Sequence, residues 1–488
     1  MADASGDTLY SGPIESLPRV LGLFDAVTVV VGSIIGSGIF LSKVGTVAHE
    51  LHAFGPIICV WVGIGAVTLC GSLALAELAA MHPHAGGPYI YLREAYGTLP
   101  AFLWGWAEFW VIRTGSIAAL SCGTVIYLNE FLHRDTPLDY TVQACLAIAV
   151  VLGLSGINYF STRWGATVQN VTVVLKVAFL AAIIGFPFLM GKTDSANLIP
   201  VWQSAESPNL WKGLGAAMLA VMWPYDGWIN IAPVAEEIRD PQRNVPRALA
   251  MGMLIVIVVY IGANISYHLT LSMDHLAGID DPATGKFLEG HKPADAVASD
   301  VFAVLFGSWG GRIAALGVMC SIFGAVNSNM LTGPRIYFAM ARDGLLPASI
   351  HKVHSRFKTP GNAILIQAAW TTILLIAFYA LSDDPRGVFE GLTDSVIFAG
   401  MIFYGLSVGA VYVLRRTQAD LLRPYRTWGY PFTPALLLVV YVCVAVNELA
   451  SHPKRTGAVA TLIGAGVIYY LIVRKMQSRR RGETASVG

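Results

Sequence analysis

The sequence predicts an all-α polytopic membrane protein with twelve transmembrane helices. Of its 488 residues, 55% are apolar and 13% are charged, whereas a soluble domain has about 25% charged residues. A surface with so few charges cannot face water, so the apolar excess must face lipid. Long apolar runs recur along the chain, and each can cross about 30 Å of hydrocarbon as a helix.

The predicted spans are numbered in chain order. They lie near residues 22–48, 56–81, 99–131, 141–158, 165–190, 213–236, 247–271, 303–341, 362–382, 389–415, 432–451 and 456–474. Because a lipid-exposed backbone must satisfy its own hydrogen bonds, these runs are predicted to be helices. Several are longer than a crossing requires, which favours tilted or broken helices.

The distribution of basic residues predicts the orientation in the membrane. Lys and Arg concentrate in the loops on one side, for example at Arg239, Arg243 and Arg247, and in the tail at Arg479–Arg481. Cytoplasmic loops have this excess, so both termini are predicted to be cytoplasmic, in a cell membrane. The formal net charge of +1 gives no indication of nucleic-acid binding. No Walker-type phosphate loop is present, so an ATPase is not expected.

Two spans contain residues that interrupt a helix. The first span has Gly32, Gly36 and Gly38 within seven residues, and each glycine costs about 1 kcal/mol relative to alanine inside a helix. The sixth span has Pro224, which removes an N–H and clashes with the preceding turn, followed by Gly227. An alternative interpretation of the glycines is close packing between helices.

The two interruptions lie five spans apart, at matching positions of two blocks that would have inverted orientation. Such an arrangement indicates a binding site at the interface of the two blocks. An unwound stretch presents N–H groups at the start of one half-helix and C=O groups at the end of the other. The first attract a carboxylate and the second an ammonium, so a zwitterionic α-amino acid matches both.

Three motifs identify a family. They are GSIIGSGIF at Gly32–Phe40, the sixth-span pattern Trp223–Trp228 with Glu236, Glu237 and the loop Pro241–Pro246, and the eighth-span pattern Ser321–Asn327 with Arg335 and the turn Arg342–Pro347. They resemble the motifs of the amino acid–polyamine–organocation superfamily, and within it the L-type amino acid transporter family. The resemblance covers about residues 20–430 and continues more weakly to the C-terminus.

The resemblance implies the leucine-transporter fold, which has two inverted five-helix repeats plus two further helices. The expected segments are a cytoplasmic N-terminal segment 1–21, a first repeat 22–190, a second repeat 213–415, helices eleven and twelve at 432–474, and a cytoplasmic tail 475–488.

The resemblance also implies the residues that bind substrate. The carboxylate is expected at Ser37 and Gly38, and the amino group at the carbonyls near Ile34, Trp223 and Asp226, with Trp223 gating the site from outside. The full expected set is Ile34, Gly36, Ser37, Gly38, Ser116, Trp223, Tyr225, Asp226, Gly227 and Asn230.

Charged residues inside the spans are expected to be functional or paired. Lys176 lies mid-way along the fifth span, where sodium-coupled relatives bind Na⁺, which implies sodium-independent transport; it could also carry a proton. Glu108 and Arg113 are expected to form a structural charge pair, although five residues separate them. Arg335 and Glu77 are expected near the cytoplasmic gate.

Two departures from the family pattern bear on substrate and partner. Asp226 replaces the glycine of the large-neutral-amino-acid carriers and is also found in the cystine and basic amino-acid carriers. It could bind a cationic side chain or cap a half-helix. The loop 133–139 lacks the cysteine that links animal members to a glycoprotein subunit, so no disulfide-linked heavy subunit is expected, and a bacterial origin fits.

The resulting hypothesis is sodium-independent exchange of small to medium neutral L-amino acids by alternating access. The alternatives are proton-coupled symport, exchange of cationic amino acids through Asp226, and a non-transporting membrane receptor, which would need a long signalling tail. An intramembrane enzyme is not expected, because His268 has no convincing partner in the sequence. No cofactor or metal is expected, since the six cysteines form no CxxC pair.

Overall fold

The computed structural model describes residues 17–40, 42–132, 138–202, 210–278, 294, 296–381, 385–451 and 453–485. Within these residues the chain forms helices and no β-strand, apart from one isolated backbone bridge between Leu21 and Ile238. The α-helices in chain order are α1 (Leu23–Ile34), α2 (Ser42–Leu51), α3 (Phe54–Met81), α4 (Pro88–Tyr96), α5 (Thr98–Ala107), α6 (Arg113–Leu132), α7 (Tyr140–Phe160), α8 (Thr162–Leu189), α9 (Leu210–Met222), α10 (Pro241–Thr270), α11 (Met273–Ala277), α12 (Val297–Phe306), α13 (Gly310–Thr332), α14 (Pro334–Arg342), α15 (Gly361–Leu381), α16 (Pro385–Thr417), α17 (Phe432–Ser451) and α18 (Pro453–Ala485). Other helical segments are the π-helix Glu108–Ile112 and the 3-10 helices Ser195–Leu198, Trp228–Glu237, Gly307–Trp309 and Ala348–His351.

The surface of the helices is suited to lipid. Among the described residues, ten helices are long and apolar enough to cross a membrane, and Leu23–Ile34 and Gly213–Met222 are shorter apolar helices. Large apolar side chains point outward, with exposed fractions of 69% at Val258 and 60% at Val439. A broad exposed apolar surface marks contact with a membrane or a partner. The prediction of an all-α polytopic membrane protein is confirmed, and the count of twelve spans stays a prediction.

The eighth predicted span is divided in the structure. α12 ends at Phe306, a turn containing Gly307 with φ +59° follows, and α13 begins at Gly310. Glycine favours this left-handed conformation because it lacks a Cβ. The long helix of this span therefore begins at Gly310 and not at residue 303, and α12 is a separate helix in the preceding connection.

The helices pack as two groups around the centre of the molecule. One group contains α1, α3, α10 and the 3-10 helix Trp228–Glu237, and the other contains α6, α7, α13 and α15. α8 contacts both α1 and α13, whereas α16, α17 and α18 pack against the outside of α6, α3 and α5. Both interrupted helices thus belong to the first group and face α13 of the second.

Candidate functional site

The first predicted interruption is present between α1 and α2. α1 ends at Ile34 and α2 begins at Ser42, which leaves backbone groups in the buried centre without helical partners. A side chain from the second group supplies one replacement, because Ser321 Oγ on α13 donates to Gly36 O at 3.0 Å. The break is therefore held by tertiary contacts and not only by the glycine content.

The second predicted interruption follows α9. The helix ends at Met222, and the chain turns through Trp223–Gly227 before the 3-10 helix begins at Trp228. Gly227 has φ +102°, a conformation that a residue with a Cβ rarely adopts. The two predicted mid-span breaks are therefore both present.

The two interruptions are in direct contact. A Cβ on Gly38 would lie 2.7 Å from Pro224 Cγ, and a Cβ on Gly227 would lie 2.6 Å from Ser33 O. Both distances are shorter than van der Waals contact, so only glycine fits at these two positions. These glycines therefore interrupt the helices and also allow the two segments to pack closely. Both interpretations of the glycines, as helix breakers and as packing residues, hold.

Tyr260 on α10 joins the two interruptions. Its buried hydroxyl lies 3.2 Å from Ile34 O and 2.9 Å from Pro224 O, positioned to donate to either carbonyl. These carbonyls belong to the first and the second break, respectively. A single side chain therefore links the two unwound segments. Its role is not visible in the sequence, because one tyrosine in an apolar run has no local signature.

A small cavity lies between the interruptions. Its lining includes every expected substrate-binding residue except Tyr225: Ile34, Gly36, Ser37, Gly38, Ser116, Trp223, Asp226, Gly227 and Asn230. Four further residues line it that the sequence analysis did not identify: Ser33, Leu120, Ala325 and Asn329. The lining includes three serine hydroxyls and two asparagine amides, so the cavity offers several hydrogen-bonding partners to a small polar molecule.

Tyr225 does not line this cavity, and its expected role in substrate binding stays a prediction. It lines a neighbouring cavity together with Tyr404 and Tyr441. Its ring packs against Trp61 and Tyr260, with ring centres 6.0 and 5.1 Å apart. The reason is the turn itself, because successive side chains of an unwound segment point to different sides.

Asp226 borders both cavities. Its carboxylate interacts with the hydroxyl of Tyr404, with the N–H of Gly227 and with the charge of Arg113. The side chain therefore has polar partners from its own turn and from α16. This arrangement supports a capping role for a residue that also lines the central cavity.

Trp223 lies beside the central cavity at the end of α9. Its indole Nε1 is 3.4 Å from Ser37 Oγ, and the residue is 9% exposed. The side chain thus lines the cavity and joins the second interruption to Ser37 of the first. This is the position expected of a gate, and the gating role itself stays a prediction.

Lys176 reaches the first interruption from α8. The fully buried side chain donates from Nζ to Gly32 O at 3.2 Å and to Ile35 O at 2.6 Å. Gly324 on α13 makes room for it, since a Cβ there would lie 3.3 Å from Nζ. The ammonium therefore connects α8 to the end of α1 and the unwound segment, and its role in coupling stays a prediction.

Glu108 and Arg113 form a buried ion pair, as expected. Arg113 Nε lies 2.8 Å from Glu108 Oε2, and both side chains are almost completely buried. The π-helix Glu108–Ile112 brings residues five apart onto one face, which removes the difficulty that their spacing raised. Arg113 Nη1 also donates to Asn329 Oδ1 at 2.6 Å, so the pair positions a side chain of the cavity without lining it.

The remaining predicted charges lie towards the side where α1 begins. Arg335 Nε contacts Glu237 Oε1 at 2.7 Å with both side chains fully buried, and Arg335 Nη2 donates to Thr162 at 3.0 Å. Glu77 pairs with Arg415 at 2.7 Å. These ion pairs join separate helices and none of their residues lines the cavity, and the expected place of Arg335 and Glu77 near a cytoplasmic gate stays a prediction. Residues 133–137, which include most of the loop used to argue against a heavy subunit, lie outside the described residues.

The fold and site define a class: a multi-pass helical membrane protein in which two broken helices enclose a central polar cavity. Residues 21–473 match the amino acid permease family, and the chain belongs to that family. The chain is 32% identical to the serine/threonine exchanger SteT of Bacillus subtilis, over 95% of this chain and 99% of the relative. It is 30% identical to human b(0,+)-type amino acid transporter 1, covering 94% and 88%, and 30% identical to the human large neutral amino acids transporter small subunit 2, covering 96% and 83%. The resemblance to the L-type family is confirmed.

Proposed function

We propose that this protein exchanges small neutral L-amino acids across a cell membrane by alternating access, without sodium. The observation on which the proposal rests is the polar cavity between two broken helices that touch each other. Half-helix ends offer N–H groups to a carboxylate and C=O groups to an ammonium. Exchange is also the activity in the name of the serine/threonine exchanger that is similar over nearly its whole length.

The lining of the cavity supports a small substrate with a polar or short aliphatic side chain. Ser116, Asn230 and Asn329 contribute a hydroxyl and two amides, whereas Leu120 and Ala325 contribute the apolar part of the wall. Ser116 already donates to Ile112 O, and Asn329 is bonded to Arg113 and Ala325 O, so what Ser116 Oγ and Asn329 Oδ1 offer a substrate hydroxyl is a further acceptor position. Serine, threonine and alanine are therefore the first candidates.

Independence from sodium is supported by Lys176. Its ammonium already hydrogen-bonds to Gly32 O and Ile35 O, which are the carbonyls that a cation at this place would need. Two positive charges a few ångströms apart repel strongly in a dry interior. Proton coupling through Lys176 remains an alternative because a buried lysine can lose its proton.

Exchange of cationic amino acids is the second candidate, favoured by one observation. Asp226 presents a carboxylate at the edge of the cavity, and a buried carboxylate is a strong partner for an ammonium or guanidinium. The same carboxylate has partners of its own in Tyr404 and Gly227, which supports the capping role instead. A receptor or an enzyme has no comparable support in the geometry.

Exchange into proteoliposomes tests the main proposal. Labelled serine, threonine and alanine should enter faster when the lumen contains unlabelled amino acid, and replacement of Na⁺ by choline should leave the rate unchanged. Uptake into empty vesicles at the same rate would exclude obligatory exchange, and a strong sodium requirement would refute the role given to Lys176.

The variant Asp226→Asn separates the two candidate substrates. It keeps the shape of the side chain and removes the negative charge, so neutral exchange should stay within about threefold while any competition by arginine disappears. If arginine competes with serine in the unchanged protein and Asp226→Asn abolishes that competition alone, the cationic alternative is correct. The orientation of the termini, the plasma-membrane location and the bounds of the two repeats also stay part of the proposal.

A further inference from the structure

The segment that precedes α1 is bound to the end of the sixth predicted span. Leu21 N–H donates to Glu237 O at 2.9 Å, and Arg239 N–H donates to Leu21 O at 2.8 Å. These two bonds form the isolated bridge between Leu21 and Ile238. Residues 17–22 are called the N-terminal strap from here on.

The strap also reaches a buried carboxylate. Leu17 N–H donates to Glu236 Oε1 at 2.8 Å, and the Leu17 side chain is 3% exposed. Glu236 accepts three more hydrogen bonds: Ala85 N–H at 2.9 Å, and Arg342 through two guanidinium nitrogens at 2.8 and 2.9 Å. A carboxylate has about four acceptor positions, so the acceptor capacity of Glu236 is fully used.

The hydrogen bonds of Glu236 connect four separate parts of the chain. They are the strap, the connection between α3 and α4 at Ala85, the 3-10 helix Trp228–Glu237, and α14 at Arg342. The neighbouring carboxylate of Glu237 accepts one hydrogen bond from Arg335 Nε of α14, at 2.7 Å. The ends of the two broken helices are thus joined to each other and to the helix that continues α13.

These contacts close the side of the molecule where α1 begins. Arg335 and Glu237 are completely buried, and Thr332 beside them is 0% exposed. The lining of the central cavity ends at Asn230 and Asn329, so the ion pairs lie between the cavity and this surface. Movement of the first helix group away from α14 would have to break them.

We propose that the N-terminal strap is a latch for this closed state, with Glu236 as the residue that it locks. While Leu17 N–H occupies one acceptor position, Glu236 is held in the orientation that receives Arg342 with two parallel bonds. Bidentate pairs of this kind depend on orientation as well as on charge. Release of the strap lets the carboxylate turn, weakens the contact with Arg342 and makes opening towards this side more frequent. The latch rests on the proposed alternating access for its use in transport.

The variants Leu17→Pro and Leu17→Ala separate the hydrogen bond from the packing. Proline removes the N–H donor, whereas alanine keeps the N–H and removes the side chain that packs on Ala85 and Phe338. Opening is measured as the alkylation rate of Thr332→Cys by a membrane-impermeant thiol reagent from the α1 side, after the six native cysteines are replaced. The alkylation measurement requires no substrate, so its result does not depend on whether the protein exchanges amino acids.

Leu17→Pro should raise the alkylation rate about tenfold, which is the effect of losing one hydrogen bond to a charged group, and Leu17→Ala should change it less than about threefold. Deletion of residues 1–17 removes the same donor and should give the same rise. In a Glu236→Gln background Leu17→Pro should add little, because both changes act on one contact. Three results would each overturn the latch. The first is an equal alkylation rate for Leu17→Pro and the unchanged chain, and the second is an equal rise in that rate for Leu17→Pro and Leu17→Ala. The third is additive effects of Leu17→Pro and Glu236→Gln on the rate. Loss of exchange with the alkylation pattern intact would instead count against the proposed function.

Discussion

Replacing Lys176 with methionine tests whether a buried ammonium maintains the first interruption. The lysine is completely buried, and its Nζ contacts Gly32 O and Ile35 O at 3.2 and 2.6 Å. Methionine is a flexible apolar side chain that fills irregular space and has no donor. Both carbonyls therefore lose their charged partner while most of the packing is kept.

The expected effect follows from the two hydrogen bonds. A bond to a charged group contributes about 1.5–3 kcal/mol, and each 1.4 kcal/mol is about a factor of ten in rate. Loss of one bond at the lower limit predicts an exchange rate reduced about tenfold, and loss of both about a hundredfold. Methionine also removes the desolvation penalty of a buried charge, which is several kcal/mol, so thermal stability should fall little.

The assay is exchange of labelled serine in proteoliposomes, with the melting temperature of the purified variant as the measure of folding. Lys176→Arg is the matched control, because it keeps a positive charge but not the shape that fits beside Gly324. Exchange by Lys176→Met at more than half the normal rate, with the fold intact, would refute the role assigned to the ammonium. Appearance of sodium-dependent uptake in Lys176→Met would extend the reasoning, because a vacated cation position becomes available.

Two other changes test the packing of the site and its supporting ion pair. Gly38→Ala should reduce exchange at least tenfold, since the added Cβ would lie 2.7 Å from Pro224 Cγ. The control Gly63→Ala should be neutral, because no atom lies within 4 Å of the added Cβ. Equal activity of the two variants in the exchange assay would exclude a role for the close approach. Arg113→Met should lower the free energy of unfolding by roughly 3–5 kcal/mol, because it leaves the buried Glu108 carboxylate without its partner. The double variant Glu108→Leu/Arg113→Met should recover most of that loss in a thermal melt, and a double variant less stable than Arg113→Met alone would show that the pair is not the cause.

The sequence by itself determined the features that depend on local composition. Apolar runs long enough for a bilayer identify membrane helices wherever they occur, because transfer from water into lipid acts on each run separately. Glycine at 36 and 38 and proline at 224 identify the two breaks for the same reason, since their effect on a helix is local. Both breaks follow from this information, whereas the expected cavity residues follow from the family resemblance.

Ion pairs depend partly on helix geometry that the sequence does not reveal. Glu108 and Arg113 are five residues apart, and an α-helix places them only loosely on one face. The π-helix Glu108–Ile112 aligns them. A bulge of this type is stabilised by tertiary contacts. The sequence therefore predicted that Glu108 and Arg113 pair, but only the structure shows the helix geometry that brings them together.

Only the tertiary structure decided which distant side chains satisfy the opened backbone. The hydroxyl of Tyr260 is placed to donate to Ile34 O or Pro224 O, and that of Ser321 donates to Gly36 O. Nothing in the sequence distinguishes these two residues from a tyrosine or serine that hydrogen-bonds within its own helix. The same holds for Tyr225, which the turn directs away from the cavity. A break in a helix is a property of the local chain, whereas the partners of the exposed carbonyls are set by how separate helices pack, and that packing is settled by the whole molecule.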